Sequence, residues 1–218
     1  PTVSLDSDTG DAGDGVTSDA TLSLGAQDAD AEREITVDGQ VLAADADLSD
    51  VTGSLADGTH TVVVRDTDAA GNVGSASLTF TLDKTISTPT VSLSVDSGSS
   101  QVDKTSNVQT LVFSTPDNDA TREILISKDG EEPIAYDATL ELEDGEYTVV
   151  VTDTDRAGNE ASASLTFTLD KSVSTPTVSL DSDTGNAGDG VTSDATLSLG
   201  VQDVDAEREI TVDGQVLA

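Results

Sequence analysis

The sequence predicts an all-β chain made of tandem immunoglobulin-like antiparallel β-sandwiches, each of about seven strands, set end to end. Apolar and polar residues alternate with period two in stretches such as TVSL, EITVDGQVL, HTVVVRD and SASLTFTLD. That spacing belongs to strands with one buried face. Between the stretches stand clusters of Gly, Asp and Asn, about every ten residues, which is the rhythm of a sandwich. STPTVSL occurs at Ser87 to Leu93 and again at Ser174 to Leu180, and PTVSL opens the chain, so the unit is about 87 residues long.

Three units follow. Residues 1–88 form repeat one, 89–175 repeat two and 176–218 the first half of repeat three. Repeat three matches repeat one except at Asp11/Asn186, Ala26/Val201 and Ala29/Val204. Repeat two keeps the closing half, DGEYTVVVTDTDRAGNEASASLTFTLDK, and rewrites the opening half. β-Branched residues argue against helices, and AEREI, the one stretch with helix-forming composition, is expected to lead into a strand. Repeat three lacks counterparts of HTVVVRD and SASLTFTLD, so half a sandwich is left with a bare face and edge. The expectation is that the molecule continues or that another chain completes this half.

The 218 residues carry 43 Asp and Glu against 9 Lys and Arg, a formal charge of -34. Such a chain repels nucleic acid and anionic membrane surfaces. There is no Cys, hence no disulfide framework and no thiol nucleophile. With Phe80, Phe113, Phe167, Tyr136 and Tyr147 as the aromatic residues, the cores are expected to be small and aliphatic. No apolar run approaches the roughly 20 residues of a membrane span, and PTVSLDSDTG does not read as a signal peptide. The stretch is expected to be soluble and internal to something longer.

The acids are mostly Asp, placed in turns. DTDAAGN (Asp66 to Asn72) returns as DTDRAGN (Asp153 to Asn159). In immunoglobulin strand order, loops alternate between the two ends of a sandwich. The turn after the second strand and the turn before the last strand then share the leading end. This groups Asp28, Asp30, Asp66 and Asp68 in repeat one, Asp117, Asp119, Asp153 and Asp155 in repeat two, and Asp203 and Asp205 in repeat three. The linker of the preceding repeat adds Asp83 at the first junction and Asp170 at the second. Four or five carboxylates in one small volume repel unless neutralised, and Ca²⁺, which takes 6 to 8 oxygens at roughly 2.3 to 2.6 Å, resolves the conflict. The plainer reading is ordinary turn chemistry on a salt-adapted protein. A second acidic loop contains Asp6, Asp8 and Asp14, repeated as Asp181, Asp183 and Asp189, and can also wrap a cation. It is not an EF-hand, because Thr17 stands where the closing Glu would be.

The combined phrase DTDAAGN, SASLTFTLDK, STPTVSLDSDTG and GDGVTSDATLSLG resembles the bacterial immunoglobulin-like repeats of giant surface adhesins, especially the extender repeats of RTX adhesins. The resemblance covers all three units; the RTX nonapeptides are absent. It implies a bacterial cell-surface location, with Ca²⁺ in the linkers stiffening a row of repeats that projects a distal ligand-binding domain. Asp83, Asp170 and the facing Asp pairs would take that role, and the partners would be neighbouring repeats of the same chain.

An enzyme is not expected. The lone His60 aligns with Tyr147 and reads as the cover of a sheet surface, and each carboxylate pair recurs without aromatic residues for sugar stacking. The alternative is an acidic, salt-adapted module that binds a protein or glycan without calcium. A spacer explains more of the sequence: at about 3.3 Å per strand residue, each unit adds roughly 40 Å of reach.

Overall fold

A computed structural model describes every residue of the chain except 44–46, 99, 205 and 218. Repeat one contains β1 (Val3–Leu5), β2 (Val16–Thr17), β3 (Leu22–Leu24), β4 (Glu32–Val37), β5 (Gln40–Val41), α1 (Leu48–Gly53), β6 (Gly58–Thr67) and β7 (Val73–Leu82). Repeat two contains β8 (Val91–Leu93), β9 (Thr105–Ser106), β10 (Leu111–Phe113), β11 (Thr121–Lys128), β12 (Ile134–Ala135), β13 (Gly145–Thr154) and β14 (Glu160–Leu169). The alternating stretches of the sequence are these strands, and AEREI does open β4.

In each repeat a two-stranded sheet faces a five-stranded one. Their orders are β1-β3 with β2-β7-β6-β4-β5, then β10-β8 with β12-β11-β13-β14-β9. One pairing in each of these two repeats departs from the antiparallel expectation. The segment after the first strand crosses to the other sheet, where β2 runs parallel to β7 with Val16 opposite Thr81, and β9 runs parallel to β14. This crossing brings loop 6–15 beside the end of β7. Glu32 pairs with Thr67, Val3 with Leu24 and Thr121 with Thr154, so loops 25–31 and 68–72, and their counterparts in repeat two, lie at the leading end.

The cores follow from strand parity. Val62 and Val64 on β6 and Phe80 and Leu82 on β7 are buried, as are Val149, Val151, Phe167 and Leu169 in repeat two. Each repeat has its own cluster, with no residue shared. Tyr147 has the parity of Val149 and is only 4 % exposed, with its hydroxyl donating to Glu143 O at 2.9 Å and its ring stacked on Phe167. It is therefore a core residue. His60 has the same parity in repeat one and sits beside Phe80, ring centroids 5.8 Å apart. Its two ring nitrogens lie 2.7 Å from Asp38 Oδ2 and 2.8 Å from Ala56 O.

Two acceptors on one imidazole favour the doubly protonated ring. Burial opposes that charge, but the hydrogen bonds to Asp38 and Ala56 O outweigh it, and the His60 pKa is raised. A raised folded value means a stabilisation present in full below the unfolded value of about 6.5 and lost as pH rises through the folded value. Thermal melting of repeat one is therefore expected to fall as pH rises above about 6.5. The variant His60→Tyr, which copies repeat two, should flatten that dependence.

The helix α1 was not legible in the sequence. Asp47 caps it, its Oδ1 accepting from Ser49 N at 2.9 Å, and Val51 packs on the core. Repeat two makes only the cap, Thr139 N donating to Asp137 Oδ1 at 2.8 Å, and sends Leu140 and Leu142 into its core instead.

Repeat three has β15 (Val178–Leu180) paired with β16 (Leu197–Leu199), and a hairpin of β17 (Thr211–Val212) and β18 (Gln215–Val216). The counterpart of β4 shrinks to two residues because no β6 is there to pair with it. Among its described residues none is buried, and Val178 and Leu199 are 64 % and 44 % exposed. This is the bare apolar face expected of half a sandwich.

Candidate inter-repeat site

The two Asp residues of each Asp-Thr-Asp turn do different jobs. The second builds the turn. Asp68 Oδ1 accepts from Ala70 N and Asn72 N at 2.9 and 2.8 Å, and its Oδ2 from Asn72 Nδ2 at 2.8 Å. Asp155 holds Asn159 N and Nδ2 in the same way, both at 2.8 Å. These bonds, the Asn72 side chain first, hold the Asp68 carboxyl below its ordinary pKa.

The first Asp holds an arginine. Arg33 Nε and Nη2 donate to the two oxygens of Asp66, each at 2.7 Å, and Nη1 reaches Gly25 O at 2.9 Å. Arg122 forks onto Asp153 at 2.7 and 2.7 Å and also donates to Ser114 O. In repeat three Arg208 makes the corresponding bond to Gly200 O at 2.8 Å. Hydrogen bonding to Arg33 lowers the Asp66 pKa, and both Arg33 and Arg122 are raised by their carboxylates. The sequence reading missed these arginines, although the Arg of AEREI and TREI is among only 9 cations in the chain.

The other candidate acids are dispersed. Asp28, Asp30 and Asp119 are exposed, and Asp205 lies outside the described residues. Asp117 Oδ2 accepts from Ser87 N at 2.8 Å, and Asp203 Oδ2 from Ser174 N at 2.6 Å. Asp83 and Asp170 each cap their own linker, accepting from Thr85 N and Ser172 N at 3.1 Å. In the first loop, Asp6 accepts from Ser23 Oγ at 2.7 Å, Asp8 Oδ2 from Gly13 N at 2.7 Å and Asp14 Oδ1 from Val16 N at 2.8 Å. Asp181, Asp183 and Asp189 repeat this with Ser198, Gly188 and Val191. Repeat two has one extra residue here, so Asp103, which accepts from Thr105 N at 3.0 Å, takes the place of Asp14.

Among the described residues, no three His, Cys, Asp or Glu side chains converge as a metal-ligating group. One observation does fit a cation. Asp8 Oδ1, Asp96 Oδ1 and Asp183 Oδ1 are buried without a hydrogen-bond partner, and the three occupy the same place in the three repeats. A buried carboxylate oxygen left bare is costly, and a hard cation satisfies it.

Repeats one and two touch directly. Asn159 Nδ2 donates to Asp83 O at 2.9 Å, Thr9 Oγ1 to Ala157 O at 2.5 Å, Asp11 N to Arg156 O at 3.3 Å and Arg156 Nε to Asp14 Oδ2 at 2.5 Å. The turn 155–159 is thus seated on loop 6–15 and the linker, where the sequence reading placed the junction.

A family model described as bacterial Ig-like domain matches residues 1–84 and again 85–171, and a second, bacterial Ig-like domain (group 3), matches 130–214. No curated protein matches the chain. A crystal structure of a tetra-tandem repeat in the extending region of a large adhesion protein is 25 % identical, with 83 % of this chain and 52 % of that one covered and a TM-score of 0.34. This chain therefore spans about half the length of that structure. Bacteroides ovatus SGBP-B of the mixed-linkage glucan utilization locus, in complex with a mixed-linkage heptasaccharide, is 15 % identical, with 71 % and 42 % covered and a TM-score of 0.23.

Proposed function

Because this chain belongs to the bacterial Ig-like domain family, we propose that it is a spacer of a bacterial surface adhesin of the RTX extender type, a non-catalytic row of repeats stiffened by Ca²⁺ and holding a ligand-binding domain away from the cell. One observation carries this reading. Each linker is hydrogen-bonded to the repeat that follows through the same pair of positions, Ser87 N to Asp117 and Ser174 N to Asp203. A linker pinned at every junction suits a row that transmits reach and not a set of independent binding modules.

The bare oxygens of Asp8, Asp96 and Asp183 support the calcium part. With them, Asp103 and Asp189 in the same loops and the linker residues Asp83 and Asp170 are the acids that would hold the ion, aided at the first junction by the exposed Asp119. Asp66 and Asp153, and Asp14 at the first junction, already have arginine partners and would add little charge. A bound divalent ion supplies positive charge to a chain at -34 and ties oxygens from separate segments together.

X-ray scattering and melting curves with Ca²⁺ and with chelator test the reading. Calcium is expected to lengthen the maximum dimension and to raise stability by about 2.7 kcal/mol at 100 times its Kd. No change in either removes the ion from the function. Equal stabilisation by concentrated NaCl would instead favour simple salt adaptation.

A further inference from the structure

Repeats one and two have nearly the same turn, but Ala69 stands where repeat two has Arg156. That guanidinium leaves its own repeat and reaches Asp14 of the one before it, with the two side chains 50 % and 16 % exposed. An ion pair so open to solvent is weak alone and sensitive to salt. It is not alone. Arg156 O and Ala157 O accept from Asp11 N and Thr9 Oγ1, and Asn159 reaches the Asp83 carbonyl.

The backbones also fit closely. Gly10 and Gly158 have φ of 73° and 84°. A Cβ on Gly158 would lie 2.8 Å from Gly10 N, and one on Gly10 would overlap Arg156 O. The seating buries what is otherwise surface: Ala157 is 0 % exposed, whereas its counterpart Ala70 is an exposed residue. Loop 181–190 repeats the socket, with Asn186 for Asp11 as its only change and the same internal bonds at Asp183 and Asp189.

We infer that loop 6–15 is a socket for an Arg-Ala-Gly turn of the next Ig-like repeat, and that Arg156 on Asp14 locks this joint without any metal ion. A turn with Ala in the arginine position lacks the charged contact and makes a looser joint. Joint stiffness is then written repeat by repeat in one side chain, beside whatever Ca²⁺ adds. The use of such a joint rests on the row acting as a spacer, whereas the joint itself does not.

The chain has no Cys, so spin labels can be placed singly at Ser77→Cys and Ser164→Cys, both exposed and at equivalent places in the two repeats. In chelator the unmodified joint should give a narrow distance distribution. Arg156→Ala should widen it about twofold, toward the free motion usual for domains with a small interface. Asp14→Asn, which keeps the acceptor for Val16 N, should do the same, and Ala69→Arg should leave it unchanged. Circular dichroism melting confirms that each variant is folded. An unchanged width in both Arg156→Ala and Asp14→Asn overturns the lock. Widening that persists while Ca²⁺ has no effect on any variant sinks the calcium reading and leaves the lock standing.

Discussion

Replacing Arg122 by Ala is expected to destabilise repeat two by about 3–5 kcal/mol, because it strands the carboxylate of Asp153 in the protein interior. Asp153 is 1 % exposed, and both its oxygens depend on the Arg122 fork. The loss also frees the Ser114 carbonyl, which ties β11 to the loop after β10. Chemical denaturation with the fluorescence of a label on repeat two would measure it. The paired change Arg122→Leu with Asp153→Leu should recover most of the loss, since removing both charges leaves none unpaired. A small effect from Arg122→Ala alone would mean that Asp153 is neutralised otherwise. The same change at Arg33 should cost less, because Asp66 keeps 12 % of its side chain in water.

Phe167→Ala should cost about 3–5 kcal/mol, and Phe80→Ala a similar amount in the other repeat. Each ring is 2 % exposed; Phe80 is the largest buried side chain in its cluster, and Phe167 is matched in its own only by Tyr147, in cores otherwise built mainly of Val and Leu. Small neighbours cannot swing far enough to fill the space left behind. The two clusters share no residue, so calorimetry should show one melting transition shifted per variant and the other in place. A joint shift of both transitions would reveal that the repeats unfold as a unit.

The architecture was legible because period-two alternation and an 87-residue echo depend only on which residues are apolar. In HTVVVRD and SASLTFTLD the buried Val62, Val64, Phe80 and Leu82 share one parity of their strands. The same parity applied to His60 and Tyr147 would have placed them inside as well, but their polar tips hid it. Helix α1 was hidden for a different reason: six residues with one Asp cap carry too little pattern to outweigh the β-rich surroundings.

The acidic turns were legible as a location and not as chemistry. Sequence spacing brought 28–30, 66–68 and 83 to the ends of the repeats, as strand pairing does. It could not assign partners, since Arg33 and Asp66 lie 33 residues apart and meet only through the pairing of β4 with β6. The unpaired oxygens of Asp8, Asp96 and Asp183 were equally invisible, because an unmet hydrogen bond is a property of three-dimensional packing.

The hairpin ends differ between repeats in a way that bears on how the chain avoids tangling. In repeat one the Asp38-Gly39 turn follows β4 directly, and Asp38 grips His60. In repeat two β11 runs two residues farther, and Lys128 pairs opposite Tyr147 before the Asp129-Gly130 turn. Suppose β11 were exchanged onto β6 while the strands of both repeats were still forming, with Arg122 on Asp66. Lys128 would then meet His60 in place of Tyr147, and Asp38 would no longer be there to balance the imidazolium. Like charges set directly across a strand pair repel. Adjacent repeats of similar sequence are prone to trade strands as they emerge and fold, and this mismatch of length and charge disfavours that exchange.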